Sequence, residues 1–195
     1  MNLPNFLTMV RIALAPVFMV LVIVDDVWAK FWAMIIFIVA ALTDLFDGYY
    51  ARKYGISTSF GKFFDPLADK ILISLAFIAF VALGYVQMWM VLLIILREFL
   101  ITGLRTLAAY RGTLIMPSWS AKVKTFLQMT SITVILLVIN LRTFLPPLKI
   151  ESGWLQSQTP DRIIFWLMIA TVVITVGTGI DYLRQSYYLL RNTMK

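Results

Sequence analysis

The sequence predicts an all-α integral membrane protein: a bundle of six transmembrane helices with a polar site that faces the cytoplasm. Three observations predict this fold. The 195 residues are 61% hydrophobic, their mean hydropathy is +0.88, and the apolar runs are separated only by short polar segments. Soluble domains are about 45–50% apolar, so the composition excludes an ordinary soluble protein. We expect a single domain over residues 1–195, with the lipid bilayer as a partner.

Six segments are long enough to cross a bilayer core of about 30 Å, which needs about 20 helical residues. They are Phe6–Val24, Trp28–Ala51, Phe64–Leu83, Met88–Tyr110, Lys122–Leu141 and Ile163–Tyr182. The longest interruption, Arg142–Arg162, contains prolines, a glycine and a tryptophan, which favour an external loop or a short interfacial segment. Pro4 and Arg11 leave the first boundary open, because Pro4 can begin a short helix on the membrane surface. No basic stretch precedes the first apolar run, so we expect no cleavable signal peptide.

The basic residues predict the orientation of the chain. Twelve fall on one side of the predicted helices: Arg11, Arg52, Lys53, Lys62, Lys70, Arg105, Arg111, Lys122, Lys124, Arg184, Arg191 and Lys195. Four fall on the other side: Lys30, Arg142, Lys149 and Arg162. Basic residues accumulate on the cytoplasmic side, so both termini should be cytoplasmic. The same bias accounts for the net charge of +7, and we expect no nucleic-acid partner.

Four aspartates lie within twenty-six residues of two predicted helices: Asp44, Asp47, Asp65 and Asp69. Residues three or four apart share a helix face, so each helix offers a pair of carboxylates near its cytoplasmic end. A carboxylate at mid-bilayer costs about 2.5–3.5 kcal/mol, so four of them require a compensating cation. The chain has no cysteine and no histidine, and oxygen-only ligands favour Mg²⁺ or Mn²⁺. Two such ions would neutralise the four charges.

Glycine and arginine accompany the aspartates. Gly48 follows Asp47 directly and Gly61 precedes Asp65 by four residues, and a residue without a side chain lets a ligand or a backbone approach closely. Arg52 lies two helical turns after Asp44, where its guanidinium group can hold a phosphate. Carboxylates, glycine and arginine together indicate a metal-bound phosphate ester.

Eight of these positions resemble the signature of the CDP-alcohol phosphotransferase family, D-x2-D-G-x2-A-R-x8-G-x3-D-x3-D. The matching residues are Asp44, Asp47, Gly48, Ala51, Arg52, Gly61, Asp65 and Asp69. The resemblance implies six transmembrane helices and the transfer of a phosphatidyl group from a CDP-linked lipid, CDP-diacylglycerol, to a small alcohol, with release of CMP. It also implies that the four aspartates bind two metal ions, that Asp69 is in addition the general base, and that Gly48 and Arg52 contact the cytidine diphosphate.

The second half of the chain bears on the acceptor alcohol. Segments Leu96–Gly112 and Ser118–Met129 resemble those of the bacterial phosphatidylglycerophosphate synthases of the family, which implies glycerol 3-phosphate as the acceptor and a bacterial cell membrane as the location. Four cations near one cytoplasmic loop are candidates to bind its phosphate: Arg105, Arg111, Lys122 and Lys124. The alternative is that these residues only orient the protein in the membrane.

Other polar residues carry weaker expectations. Asn5 and Thr8, with Arg11, resemble the family's amino-terminal segment and are candidates to line the nucleotide or lipid pocket. Arg97 and Glu98 interrupt the fourth predicted helix, and neighbours on a helix point about 100° apart. We therefore expect them to pair with other groups rather than with each other, with Asp181 as one candidate partner for Arg97.

Two alternatives remain open on the sequence alone. One keeps the family and changes the acceptor, for example to phosphatidylglycerol, which would give cardiolipin. The other is a divalent-cation transporter with its acidic site on the conduction path, although such a protein has little use for Arg52 beside its carboxylates. Family members are commonly dimeric, so a homodimer is also open, but no heptad or stripe of small residues in the sequence indicates an interface.

Overall fold

The computed structural model describes the backbone of residues 3–54, 59–110, 119–146 and 153–193, and the side chains within 9–43, 70–106, 122–146 and 153–184. These residues form helices and the turns between them, and the described part of the chain contains no strand. The helices are α1 (Leu3–Ile23), α2 (Val27–Tyr54), α3 (Ser59–Ala82), α4 (Met88–Tyr110), α5 (Trp119–Phe144), α6 (Gly153–Gln156) and α7 (Thr159–Thr193). The all-α prediction is therefore confirmed, and the six long helices follow the predicted order.

Several helix ends differ from the predicted bounds. Helix α3 begins at Ser59 rather than Phe64, and α7 continues to Thr193 rather than ending at Tyr182. The predicted bounds stopped where the apolar run stopped, but no proline or glycine follows Tyr182 to end the helix. The predicted loop between the last two long helices contains the one-turn helix α6.

Two groups of helices build the bundle. Helix α1 packs against α2 and α3, while α7 packs against α4 and α5, and contacts of α5 with α2 and α3 join the groups. The shared core is apolar and fully buried at Phe18, Phe77, Phe80, Met90 and Ile135. This packing brings α3, α4, α5 and α7 together, and these are the helices that carry the charged cluster described below.

Short polar motifs fix the turns at one end of the bundle. Asp26 caps α2, because its Oδ2 accepts a hydrogen bond of 2.8 Å from the backbone N–H of Ala29. Gly84 ends α3 with a φ of +78°, a conformation that glycine adopts without strain, and the N–H of Tyr85 closes the turn on the carbonyl of Phe80 at 2.9 Å. These motifs define sharp reversals between α1 and α2 and between α3 and α4.

Charge and aromatic contacts hold the same end together. Arg142 forms two hydrogen bonds of 2.9 Å with the carboxylate of Asp161, and its guanidinium carbon lies 5.7 Å from the centre of the Tyr85 ring. The Phe144 ring meets the Trp28 ring edge to face at 6.1 Å. The ends of α2, α3, α5 and α7 therefore meet here, at the end where the sequence predicts the outer face.

Two helices in the described part of the chain are long and apolar enough to cross a membrane, Lys122–Phe144 and Thr159–Arg184. Shorter apolar stretches occur at Met9–Ile23, Val27–Thr43 and Lys70–Ala82. Membrane-capable helices are thus present, and the arrangement of six spans stays a prediction.

Candidate active site

The two predicted aspartate pairs lie on helices. Asp44 and Asp47 fall in the second half of α2, and Asp65 and Asp69 fall in the first half of α3. Helical backbone at these positions supports the expectation that each pair shares a helix face. The side chains of all four aspartates lie outside the described residues, as do those of Arg52, Asn5 and Thr8, the surroundings of Gly48 and the whole of Arg111.

A buried glutamate on α4 is the centre of a charged cluster. Glu98, near the middle of α4, is 7% exposed, and its Oε1 accepts hydrogen bonds from Lys124 Nζ and, at 3.2 Å, from Gln128 Nε2. Lys124 and Gln128 are four residues apart on α5 and so share the helix face turned toward Glu98. The ion pair between Glu98 and Lys124 therefore links α4 to α5.

Lys70 of α3 reaches the same glutamate. Its Nζ lies 3.6 Å from Glu98 Oε2 and donates a hydrogen bond of 2.9 Å to the main-chain carbonyl of Glu98. Lys70 directly follows Asp69, so the cluster is only one residue from a predicted metal ligand. Lys70 was predicted only as an orienting charge, and its contact with Glu98 was not predicted; its position next to Asp69 was the available signal.

Arg97 links the cluster to α7. Its Nε donates to the carbonyl of Thr175 and its Nη2 donates to Thr178 Oγ1, both at 3.1 Å. Its Nη1 also lies 3.6 Å from Glu98 Oε1. The prediction that Arg97 and Glu98 would not pair with each other is therefore wrong, since the flexible arginine stem bridges the angle between the two positions. Asp181 is exposed, and the described contacts of Arg97 go to the two threonines and Glu98.

The described cluster carries excess positive charge. Three cations, Lys70, Arg97 and Lys124, lie within 4 Å of the single carboxylate of Glu98. Burial leaves these charges little solvent to screen them. An arrangement of this kind favours a further anion over a further cation.

Lys122 and Arg105, two further predicted phosphate-binding residues, make no described hydrogen bond or ion pair with Glu98. Lys122 is exposed, and the exposed Arg105 places its guanidinium carbon 5.6 Å from the centre of the Tyr182 ring. Lys124, by contrast, is buried against Glu98. The structure thus brings Lys124 together with Lys70 rather than with Lys122, and the binding of acceptor phosphate by these residues stays a prediction.

Comparison with known proteins identifies the family. The sequence model of the CDP-alcohol phosphatidyltransferases matches residues 1–177, from the start of α1 into α7. The chain belongs to this family. The resemblance based on the aspartate signature is therefore confirmed, and the CDP-alcohol phosphatidyltransferase match extends far beyond that signature.

Three curated relatives of this CDP-alcohol phosphatidyltransferase carry the name CDP-diacylglycerol–glycerol-3-phosphate 3-phosphatidyltransferase. The protein of Rickettsia felis is 38% identical over 183 residues, which is 94% of both chains. That of Bacillus subtilis is 43% identical over 148 residues, 70% of this chain and 77% of the relative. That of Escherichia coli is 40% identical over 136 residues, 67% of this chain and 74% of the relative.

Proposed function

We propose that this protein transfers the phosphatidyl group of CDP-diacylglycerol to glycerol 3-phosphate, forming phosphatidylglycerophosphate for phospholipid biosynthesis and releasing CMP. The observation that carries the proposal is the similarity to the Rickettsia felis protein, which is named CDP-diacylglycerol–glycerol-3-phosphate 3-phosphatidyltransferase and matches over 94% of both chains. The complete eight-position signature supports the transfer of a phosphatidyl group from a CDP-linked lipid. The family match favours an enzyme over the cation-transporter alternative.

The reaction requires one bond to form and one to break. A hydroxyl oxygen of glycerol 3-phosphate attacks the phosphorus that carries diacylglycerol, and the bond from this phosphorus to the CMP oxygen breaks. CMP leaves with the bonding electron pair, and the hydroxyl proton passes to a carboxylate. The resemblance assigns the role of base to Asp69.

The donor set of the two aspartate pairs fits two hard divalent cations, because four carboxylates supply oxygen ligands and the chain has neither cysteine nor histidine. Asp44, Asp47, Asp65 and Asp69 would hold Mg²⁺ or Mn²⁺, and such ions polarise the phosphorus and neutralise the pyrophosphate. Gly48 would permit close approach of the cytidine diphosphate, and Arg52 would donate hydrogen bonds to it.

We place the protein in a bacterial cell membrane, with six spans and with the reaction site and both termini cytoplasmic. The twelve-to-four distribution of predicted inner and outer cations supports this orientation. Large apolar side chains on the outward helix surfaces, including Val20, Leu92, Phe126 and Val173, support contact with lipid. A homodimer stays a prediction from the family resemblance.

The test is CMP release by the purified protein with CDP-diacylglycerol and Mg²⁺, with and without glycerol 3-phosphate. We expect release that depends on glycerol 3-phosphate and that Asp69→Asn abolishes. Asp181→Asn is the matched control, because it neutralises an exposed aspartate outside the signature. Release with phosphatidylglycerol but not with glycerol 3-phosphate would instead identify a cardiolipin-forming enzyme.

A further inference from the structure

Glu98 joins cations from different helices at one point in the bundle. We propose that Glu98 is a positioning residue that holds the ammonium groups of Lys70 and Lys124 together, so that both bind the phosphate of the acceptor. The inference rests on the proposed function and adds two residues to it, Glu98 and Lys70. Glu98 itself would act only through the lysines.

The geometry shows how one carboxylate fixes both lysines. Lys124 donates to Oε1, while Lys70 lies 3.6 Å from Oε2 and donates to the main-chain carbonyl of the same residue. Thr102 Oγ1 donates to that carbonyl as well, at 2.7 Å, and Gln128 donates to Oε1. Glu98 is thus held on both its side chain and its main chain, and it can serve as a rigid reference for the two cations.

The charge balance suits a phosphate monoester. The cluster of Lys70, Arg97, Lys124 and Glu98 has three positive charges and one negative charge, a net charge of +2. Two of the three guanidinium nitrogens of Arg97 donate to Thr175 and Thr178, so the lysines are the cations available for a ligand. An ammonium group has three N–H donors, so a lysine held by Glu98 can still donate to a phosphate oxygen.

Lys70 also connects the cluster to the proposed reaction site along the chain. Consecutive Cα atoms are about 3.8 Å apart, and Lys70 directly follows Asp69, the proposed base. Without Glu98, two ammonium groups in a poorly screened interior repel each other and no longer converge on one ligand.

The experiment compares the wild-type protein with Glu98→Gln, which keeps the shape of the side chain and removes its charge. We measure KM for each substrate by CMP release, and glycerol 3-phosphate binding by calorimetry. Charge-assisted hydrogen bonds contribute about 1.5–3 kcal/mol, so we expect Glu98→Gln to raise both KM and Kd for glycerol 3-phosphate by about tenfold or more. KM for CDP-diacylglycerol should stay within about twofold of the wild-type value, because a lost hydrogen bond to that substrate would raise it by more.

Asp161→Asn is the matched control, since it removes a carboxylate from an ion pair at the opposite end of the bundle. It should lower Tm without changing either KM. If Glu98→Gln does not fold, Glu98→Asp replaces it: a carboxylate one methylene shorter cannot reach both lysines, so KM for glycerol 3-phosphate alone should still rise.

Two results would overturn the inference. One is a Glu98→Gln protein that folds, is less stable than wild type and has an unchanged KM for glycerol 3-phosphate. That result would show that Glu98 only neutralises buried positive charge. The other is an equal rise in both KM values. Failure of the proposed function is separate, because it would be seen in the wild-type protein as CMP release that does not depend on glycerol 3-phosphate.

Discussion

Gly179 of α7 lies directly against the side chain of Arg97 from α4. A Cβ atom at position 179 would be 3.0 Å from Arg97 Cγ and 3.4 Å from its Nε. The arginine cannot easily move away, because its guanidinium group is tied to Thr175, Thr178 and Glu98. The absence of a side chain at Gly179 thus allows α4 and α7 to approach closely where the charged cluster is held.

We therefore expect Gly179→Ala to destabilise the protein. Overpacking costs about 1–3 kcal/mol, while alanine regains up to about 1 kcal/mol of helix propensity, so the net loss should be about 1 kcal/mol. Thermal unfolding in detergent measures it. Gly177→Ala is the matched control on the same helix, because a Cβ there meets no atom within 4 Å, and it should leave stability unchanged or increase it. A Gly179→Ala protein as stable as the Gly177→Ala protein would show that the arginine stem adjusts freely.

The second prediction concerns the Arg142–Asp161 pair at the other end of the bundle. Asp161→Asn removes the negative charge and one of the two hydrogen-bond acceptors of the pair, and it removes an acidic residue from the first turn of α7. Because Asp161 is 52% exposed, we expect a loss of only about 1 kcal/mol. The difference in Tm from wild type should shrink in 1 M salt, where the screening length falls to about 3 Å. Asp25→Asn is the control, because it loses a single contact between Lys30 and an exposed carboxylate. It should lower Tm by less than Asp161→Asn does. An equal loss of Tm would show that the paired hydrogen-bond geometry of Arg142 and Asp161 adds no stability.

Sequence reasoning predicted the helical fold, the order of the long helices and the family. Long apolar runs and a signature of fixed spacing are local properties, so they can be recognised without tertiary structure. Helix ends were less accurate, as at Thr193, because helical backbone continues into polar sequence beyond the apolar window.

The buried cluster was harder to predict. Lys70 and Lys122 count alike when basic residues are assigned to one side of the membrane or the other. In the structure Lys122 is exposed, whereas Lys70 contacts Glu98 between helices. The distinction depends on which faces of α3, α4 and α5 meet, and neither charge nor spacing determines this. The partner of Arg97 was mispredicted for the same reason, since main-chain carbonyls and hydroxyls of α7 compete with Asp181 as acceptors.

The third prediction tests orientation in the membrane. The chain has no cysteine, so single cysteines can be introduced without removing any. Gln158→Cys, at an exposed position before α7, should react with a membrane-impermeant maleimide in intact spheroplasts. Asn192→Cys, near the carboxyl terminus, should react only after permeabilisation. CMP-releasing activity in both variants is the control for folding, and the reverse labelling pattern would place the reaction site on the outside.

The fourth prediction is the metal requirement. If the four aspartates hold two divalent cations, EDTA should reduce CMP release to background, and Mg²⁺ or Mn²⁺ should restore it, because these ions prefer the oxygen ligands that the aspartates supply. Asp65→Asn should raise the Mg²⁺ concentration needed for half-maximal activity, since the variant has one carboxylate fewer to offset the ion's charge. Asp181→Asn, which leaves the signature intact, should keep the wild-type Mg²⁺ dependence. Full activity in EDTA would contradict the assignment of all four aspartates, whereas an equal shift in both variants would indicate a general effect of negative charge rather than metal ligation.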